Sequence, residues 1–285
     1  MSYSEINFIS VKLNANDEES RKIFDEYNCK GVPHLLFVDE HGNEVDRIIG
    51  YIPPSEYLPR IKDIKNNKHT LNDYLVQYEK GQGDAEIIAG IAMKYEDRGD
   101  SENAKKFYTI LIKEYPDSES EHYQRGTYFI ASDAFKNGVT MALNAYIVSF
   151  PESPFIEDAF FTMAYHYADK EMPEEEIKVY REMIEKFPEN ANLLNSYAWR
   201  MSELEMNLED ALEKVQMAVV LSTDNPKSQA NIIDTEAEVL WKLKRFDAAI
   251  ETIDRALKID PENSYFQDQK DKFIQSKKEP NNQAV

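Results

Sequence analysis

The chain has 285 residues, 42% hydrophobic and 30% charged, with a formal net charge of −20. That length allows one or two domains, and that balance allows both a packed core and a soluble surface. A field of that sign repels phosphate backbones and anionic headgroups, which disfavours nucleic acid and membrane surfaces as partners and leaves a neutral or basic protein surface compatible.

Most of the acidity lies beyond residue 68: residues 1–68 hold 9 Lys/Arg against 12 Asp/Glu, the remainder 24 against 41. Acid of this kind also serves simply to keep a large helical surface soluble. No stretch approaches the ~18 apolar residues that cross a bilayer. The start, Met1-Ser2-Tyr3-Ser4-Glu5, has neither the basic region nor the apolar run of a secretory signal. The single cysteine, Cys29, cannot form an intrachain disulfide, a Cys-x-x-Cys pair or a multi-cysteine zinc site, and does not decide the compartment.

In chain order, Phe8 to Leu13 alternates as a short strand. Asp17 to Tyr27 reads as a helix with Ile23 and Phe24 inward. His34 to Val38 is an apolar strand, Asp39-Glu40-His41-Gly42-Asn43 a hairpin turn, and Glu44 to Gly50 the return strand. Pro54 to Ile64 closes the segment as a helix with proline near its start.

This order resembles the second half of a thioredoxin fold, on Phe8-Ile9-Ser10-Val11-Lys12-Leu13-Asn14, on Tyr27-Asn28-Cys29-Lys30-Gly31-Val32-Pro33 and on the strand pair ending at Gly50. The resemblance implies a cis bond before Pro33, with Val32 and Pro33 shaping a groove for an extended peptide; otherwise Pro33 simply starts a strand. The family's earlier strands and its Cys-x-x-Cys helix would precede Phe8, where only seven residues stand. The strand at Phe8 would then have an open edge, with unpaired backbone groups costing ~1–3 kcal/mol each if buried. Either the natural chain begins upstream of Met1, or the strands re-pair directly, or the edge takes a strand from a partner, including a second copy. Ser2 to Asn7, which runs into the strand without a cap, favours the first. Cys29, at a helix end, reads as a buried structural thiol.

Leu71 to Tyr78 is a short joining helix. Beyond it, prolines close helices at Pro116, Pro151, Pro188, Pro226 and Pro261, spaced 35, 37, 38 and 35 residues apart. Upstream of each lie two amphipathic segments. In the last unit Ile233, Ala237, Leu240 and Trp241 mark one helix, Lys244 to Asp247 a turn, and Ala248 through Ile259 a second helix. Small Ala237 and Ala249 let helices approach closely.

The run Phe246-Asp247-Ala248-Ala249-Ile250-Glu251 with Ala256-Leu257-Lys258-Ile259-Asp260-Pro261 resembles the tetratricopeptide (TPR) family. Ala92, Tyr95, Ala104, Tyr108 and Pro116 agree. A third unit keeps Ala164, Tyr167, Tyr180 and Pro188 but has Glu176 where the second alanine is expected. A fourth keeps Ala198 and Ala211, and the second, with Gly126 and Tyr146, is the weakest. The resemblance covers residues 84–263 as five repeats. Residues 264–277 suit a helix shielding the end of the array.

The expected fold class is mainly α, a TPR-type solenoid preceded by a partial α/β thioredoxin-like segment. Residues 1–68 form the thioredoxin-like part, 69–277 the repeats and 278–285 a disordered tail. The resemblance places Tyr165, Trp199 and Glu238 in the concave groove, with Tyr123, Phe161, Asn195, Asp234 and Trp241 along the same stripe. Exposed aromatics in a hollow often anchor a partner. Phe161 and Trp241 read equally as core, and Tyr165 and Trp199 stand open between groove and core. The lysines and asparagines that would clamp a terminal carboxylate are missing from the matching positions, which disfavours the chaperone-tail type of TPR.

Five scattered histidines, no His-Glu-x-x-His and nine glycines leave no expected metal site, phosphate loop or cofactor. Glu174-Glu175-Glu176 after Pro173 suits a helix N-terminus. The expected role is a non-catalytic scaffold for protein or peptide clients. The alternative is a fragment of a thiol-disulfide oxidoreductase, serving redox homeostasis, whose Cys-x-x-Cys half lies upstream of Met1. The compartment stays open.

Overall fold

The structure, a computed structural model, describes residues 3–278. The chain divides into two compact units, residues 1–159 and 160–285.

The first unit opens with α1 (Tyr3–Asn7), a stretch without regular secondary structure over residues 8–14, α2 (Glu18–Glu26), β1 (His34–Val38), β2 (Glu44–Ile49) and α3 (Pro54–Lys65). Asp17 caps α2 by accepting the Ser20 N–H at 3.1 Å, which satisfies one of the amides a helix start leaves bare. In the hairpin turn the Asp39 carboxylate accepts the N–H groups of His41 and Asn43 at 2.9 and 2.8 Å. β1 and β2 pair antiparallel, His34 opposite Ile49 and Phe37 opposite Asp46. Ile48, Ile61 and Ile64 are buried at their contact with α3, with Tyr3, Phe8, Leu35 and Phe37 packed around them.

Two expectations fail here. The predicted strand Phe8–Leu13 does not form: β1 and β2 are the whole sheet, and among the described residues no backbone group from Ile9 to Leu13 bonds another. An alternating sequence supplies a strand's side chains but not the neighbour whose hydrogen bonds hold it. Direct re-pairing onto β1 is therefore not what occurs. Nor does Ile23 point inward; it is 41% exposed. Phe24 meets the hairpin, edge-on to His34 with ring centroids 6.4 Å apart.

After α4 (Leu71–Glu79) comes α5 (Ala85–Asp97), and two buried charges of the segment, Asp46 and Arg47, tie it to α5. They are consecutive on β2, so their side chains leave opposite faces. Asp46 is fully buried and pairs with Arg60 of α3 and with Lys94 of α5, the latter at 2.7 Å. Arg47 donates to the Tyr27 carbonyl at 2.8 Å, the Asp97 carbonyl at 2.9 Å and Glu44 at 2.8 Å. Arg98 reaches the same Glu44 carboxylate at 2.9 Å. Beside it Gly99 has φ +72°, where a side chain is strained, and a Cβ there would lie 2.0 Å from the Asn28 amide nitrogen and displace it.

The rest of the first unit is helical: α6 (Ser101–Glu114), α7 (Glu121–Lys136), α8 (Ala142–Ser149) and the start of α9 (Ile156–Asp169). Ala92 and Ala104 are fully buried where α5 meets α6. Gly126 on α7 is the weak match of the second repeat, and its bareness is used: a Cβ would sit 3.1 Å from the Tyr108 ring. Tyr108 is buried and donates to Glu96 at 2.6 Å, and Arg125 of α7 donates to the Tyr108 hydroxyl oxygen at 3.0 Å. Burial and the Glu96 charge push the Tyr108 hydroxyl well above its ordinary pKa.

The second unit continues α9 and adds α10 (Pro173–Lys186), α11 (Ala191–Leu204), α12 (Leu208–Leu221), α13 (Pro226–Lys242), α14 (Phe246–Ile259) and α15 (Ser264–Lys278). The small residues named by the repeat pattern, Ala164, Ala198, Ala211, Ala237 and Ala249, are all fully buried. Pro226 does not follow its helix directly; it stands at the start of α13, four residues after the C-cap Ser222, with Asn225 as N-cap. The closing helix forms, burying Phe266 and Phe273. Five helix pairs and a capping helix follow a partial α/β segment, so the chain is mainly α with solenoid-type repeats. Of the predicted disordered tail, Lys278 ends α15 and residues 279–285 lie outside the described residues.

Candidate binding face of the repeats

On α9, α11 and α13 the buried alanine of each repeat has a neighbour one residue later and another three residues earlier, four positions apart and so on one helix face. These are Phe161 and Tyr165, Asn195 and Trp199, and Asp234 and Glu238.

The α9 pair is a stacked aromatic couple, with ring centroids 5.7 Å apart and planes 20° from parallel. Phe161 is half-buried and supports Tyr165, which is 61% exposed. On α11, Trp199 is 37% exposed and its indole N–H donates to Glu203 at 3.1 Å. Asn195 is half-buried, and its side-chain oxygen is buried with no hydrogen-bond partner.

The α13 pair is different. Asp234 and Glu238 are buried, and so is most of their helix. α15 supplies the cover: Lys272 pairs with Glu238 and sits 4.4 Å over the Trp241 ring. Trp241 is half-buried, and its indole N–H donates to the Ser276 hydroxyl at 2.9 Å. Burial and the neighbouring Glu238 charge, opposed by Lys272, push the Asp234 carboxyl up to about 6. These three residues face the capping helix, so the exposed stretch of the stripe is aromatic and lies on α9 and α11. The sequence marks α15 as a shielding helix, but not which side chains of α13 it covers.

Tyr123 belongs to the first unit. It is half-buried, edge-on to Phe150 with centroids 6.1 Å apart, and borders an open cleft with Leu111 and Tyr115.

One feature of the second unit departs from the repeat pattern. Glu176 fills the second small position and is 2% exposed, clamped by Arg200 of α11 through two hydrogen bonds of 2.7 and 3.0 Å. Arg200 also reaches Glu203 at 3.2 Å, one turn from Trp199, so the clamp holds the same stretch of α11 that carries the exposed indole. An acid in a position reserved for alanine was the available signal that an arginine must stand opposite.

In the thioredoxin-like segment the Val32–Pro33 bond is cis, Val32 is 72% exposed, and the Pro33 carbonyl accepts the Gly50 N–H at 2.9 Å. Cys29 is half-buried rather than buried, because the helix before it has no buried residues of its own; burial pushes its thiol up, with Arg47 opposing.

A thioredoxin-like domain model matches residues 2–65, and tetratricopeptide repeat models match residues 89–118 and 234–263. Thioredoxin-like protein HCF164, chloroplastic, of Oryza sativa subsp. japonica is 29% identical over 66 residues, 23% of this chain and 24% of that protein. The protein of the same name from Arabidopsis thaliana is 27% identical over 67 residues, 24% and 25% of the two chains. The chain thus spans about a quarter of the length of the curated relatives it matches. Among solved structures, YrrB, a TPR protein with an unusual peptide-binding site, is 15% identical with a TM-score of 0.47, over 70% of this chain and 97% of that one. TTC0263, a thermophilic TPR protein of Thermus thermophilus, is 15% identical with a TM-score of 0.31, over 78% and 94%.

Proposed function

We propose that this chain, which joins a thioredoxin-like segment to tetratricopeptide repeats, is a non-catalytic module that holds a protein segment against the first helices of its third and fourth repeats. The observation that carries this reading is the exposure of Tyr165 and Trp199 one residue past buried alanines. A rigid aromatic left partly in water gains by being covered, and its two side-chain torsions lose little entropy on doing so. Phe161 backs the Tyr165 ring, and the Glu203 carboxylate fixes the Trp199 indole, so both are oriented before a guest arrives. The partner's chemistry follows from the rest: an apolar side chain to cover the rings, and neutral or basic character in the face of the chain's net charge of −20. Val32 and Pro33 offer a second, separate surface for extended peptide.

The test is a displayed-peptide selection against the chain, followed by fluorescence titration in a Trp241→Phe background, where Trp199 is the only indole left. Bound peptide shifts Trp199 emission, and Tyr165→Ala with Trp199→Ala (followed by a labelled peptide) weakens binding about 30-fold or more, the size of a hot-spot loss. Val220→Ala, on the exposed side of α12, leaves it unchanged. Selected peptides that bind the double variant as tightly as the wild type would contradict the proposal.

A second reading rests on the match of residues 2–65: the segment would belong to a thiol-disulfide oxidoreductase. Cys29, the chain's one thiol, is half-buried with its pKa raised. Exchange requires an accessible thiolate. On this reading the segment would present substrate and another polypeptide segment would supply the exchanging cysteine pair.

A further inference from the structure

Residues 9–13 hold an apolar strand pattern with nothing covering it. Ile9 is 98% exposed, Val11 74% and Leu13 48%, with Ser10 and Lys12 between them. The stretch is fixed at both ends. Phe8 meets Phe37 with ring centroids 5.4 Å apart, and the Asn14 carbonyl accepts the Asp17 N–H at 2.9 Å. Between these anchors no backbone group bonds another among the described residues.

The same chain has an open sheet edge of equal length. Among the described residues β1 pairs only with β2. The Gly50 N–H donates to the Pro33 carbonyl, so Pro33, Leu35 and Phe37 turn their backbone groups toward β2. By the alternation of an antiparallel ladder, His34 and Leu36 turn theirs to the open side. An edge of that kind is a template for a further strand unless it is blocked by charge, proline or a bulge. Its five residues His34 to Val38 carry no charged carboxylate or ammonium, and the register irregularity comes only at Phe37/Val38.

We propose that two copies of this chain associate by reciprocal strand exchange, the Ile9–Leu13 segment of each adding to the open β1 edge of the other. One unpaired segment and one open edge per chain are satisfied together in a closed twofold dimer, with nothing left over to propagate. Main-chain hydrogen bonds hold the added strand, and every second side chain is removed from water. The net charge of −20 on each copy opposes the encounter, so added salt tightens the dimer.

Sedimentation velocity of the full chain from ~1 to ~100 µM resolves a dimer of this kind. The expected result is a rise from the 33.1 kDa chain mass to twice that value. Val11→Pro removes a donor that has no acceptor among the described residues and bars the ladder, and should weaken association by about tenfold or more. Val11→Asp does the same without touching the backbone, and is the decisive variant if proline alters the circular dichroism. A wild-type chain that keeps the single-chain mass throughout overturns the proposal. So does a dimer that both variants leave as tight as before, which would mean some other surface joins the copies.

Discussion

Arg200→Ala is expected to destabilise the second unit by ~3–5 kcal/mol, while Glu176→Ala, which removes the other half of the same pair, costs about 1 kcal/mol or less. The asymmetry comes from burial. The Glu176 side chain is 3% exposed and has Arg200 as its ion-pair partner, so the arginine's loss leaves a carboxylate in the core with no counter-charge. The Arg200 side chain is 27% exposed and keeps Glu203 at 3.2 Å, so it tolerates the loss of Glu176. The alanine then placed at 176 is the residue the repeat pattern asks for. Thermal unfolding should show a fall on the order of 10 °C for Arg200→Ala. The double variant should return most of the way to Glu176→Ala, a large coupling energy between two residues in contact. Equal losses for the two single variants would mean that the pair stabilises by attraction rather than by repairing a buried charge.

Asp46→Ala should have a comparable effect in the first unit. Asp46 neutralises Arg60 and Lys94, whose side chains are 22% and 14% exposed. Burial already pushes the Lys94 ammonium below its ordinary pKa, and Asp46 is the main group opposing that. Without it, one amine must be deprotonated or dragged into water, and the strand–helix contacts on either side loosen. A loss of ~3–5 kcal/mol is expected. Because all three residues lie within residues 1–159, the damage should be local. Hydrogen exchange would show faster exchange in β1, β2, α3 and α5, with α11 to α14 unchanged. Uniform acceleration, or none, would mean that this ion cluster does not join the thioredoxin-like segment to the first repeat.

Periodicity made most of the fold legible. The hairpin was marked by Asp39 and Gly42, the helix pairs by apolar spacing and by alanines twelve residues before a proline, and the cap by Phe266 and Phe273. What escaped was whatever depends on a partner far away in sequence. Phe8 to Leu13 has the alternation of a strand, yet no strand forms, because a ladder needs a neighbour. Asp46 and Arg47, adjacent charges that leave opposite faces of β2, are both buried, because α5 arrives from nearly fifty residues downstream with Lys94 and the Asp97 carbonyl as partners. On the candidate face, Tyr165 and Trp199 stand partly in water as a binding stripe requires. Asp234 and Glu238, at the same repeat positions, lie under α15. Position within a repeat tells which way a side chain points but not what lies across from it.

Hydrogen exchange of the chain with and without a tightly bound selected peptide addresses the central claim most directly. Slower exchange concentrated in α9 and α11, with α10 and α12 unaltered, is the predicted footprint. Protection confined to the second helices of these repeats, or to residues 18–65, would place the guest elsewhere and contradict it.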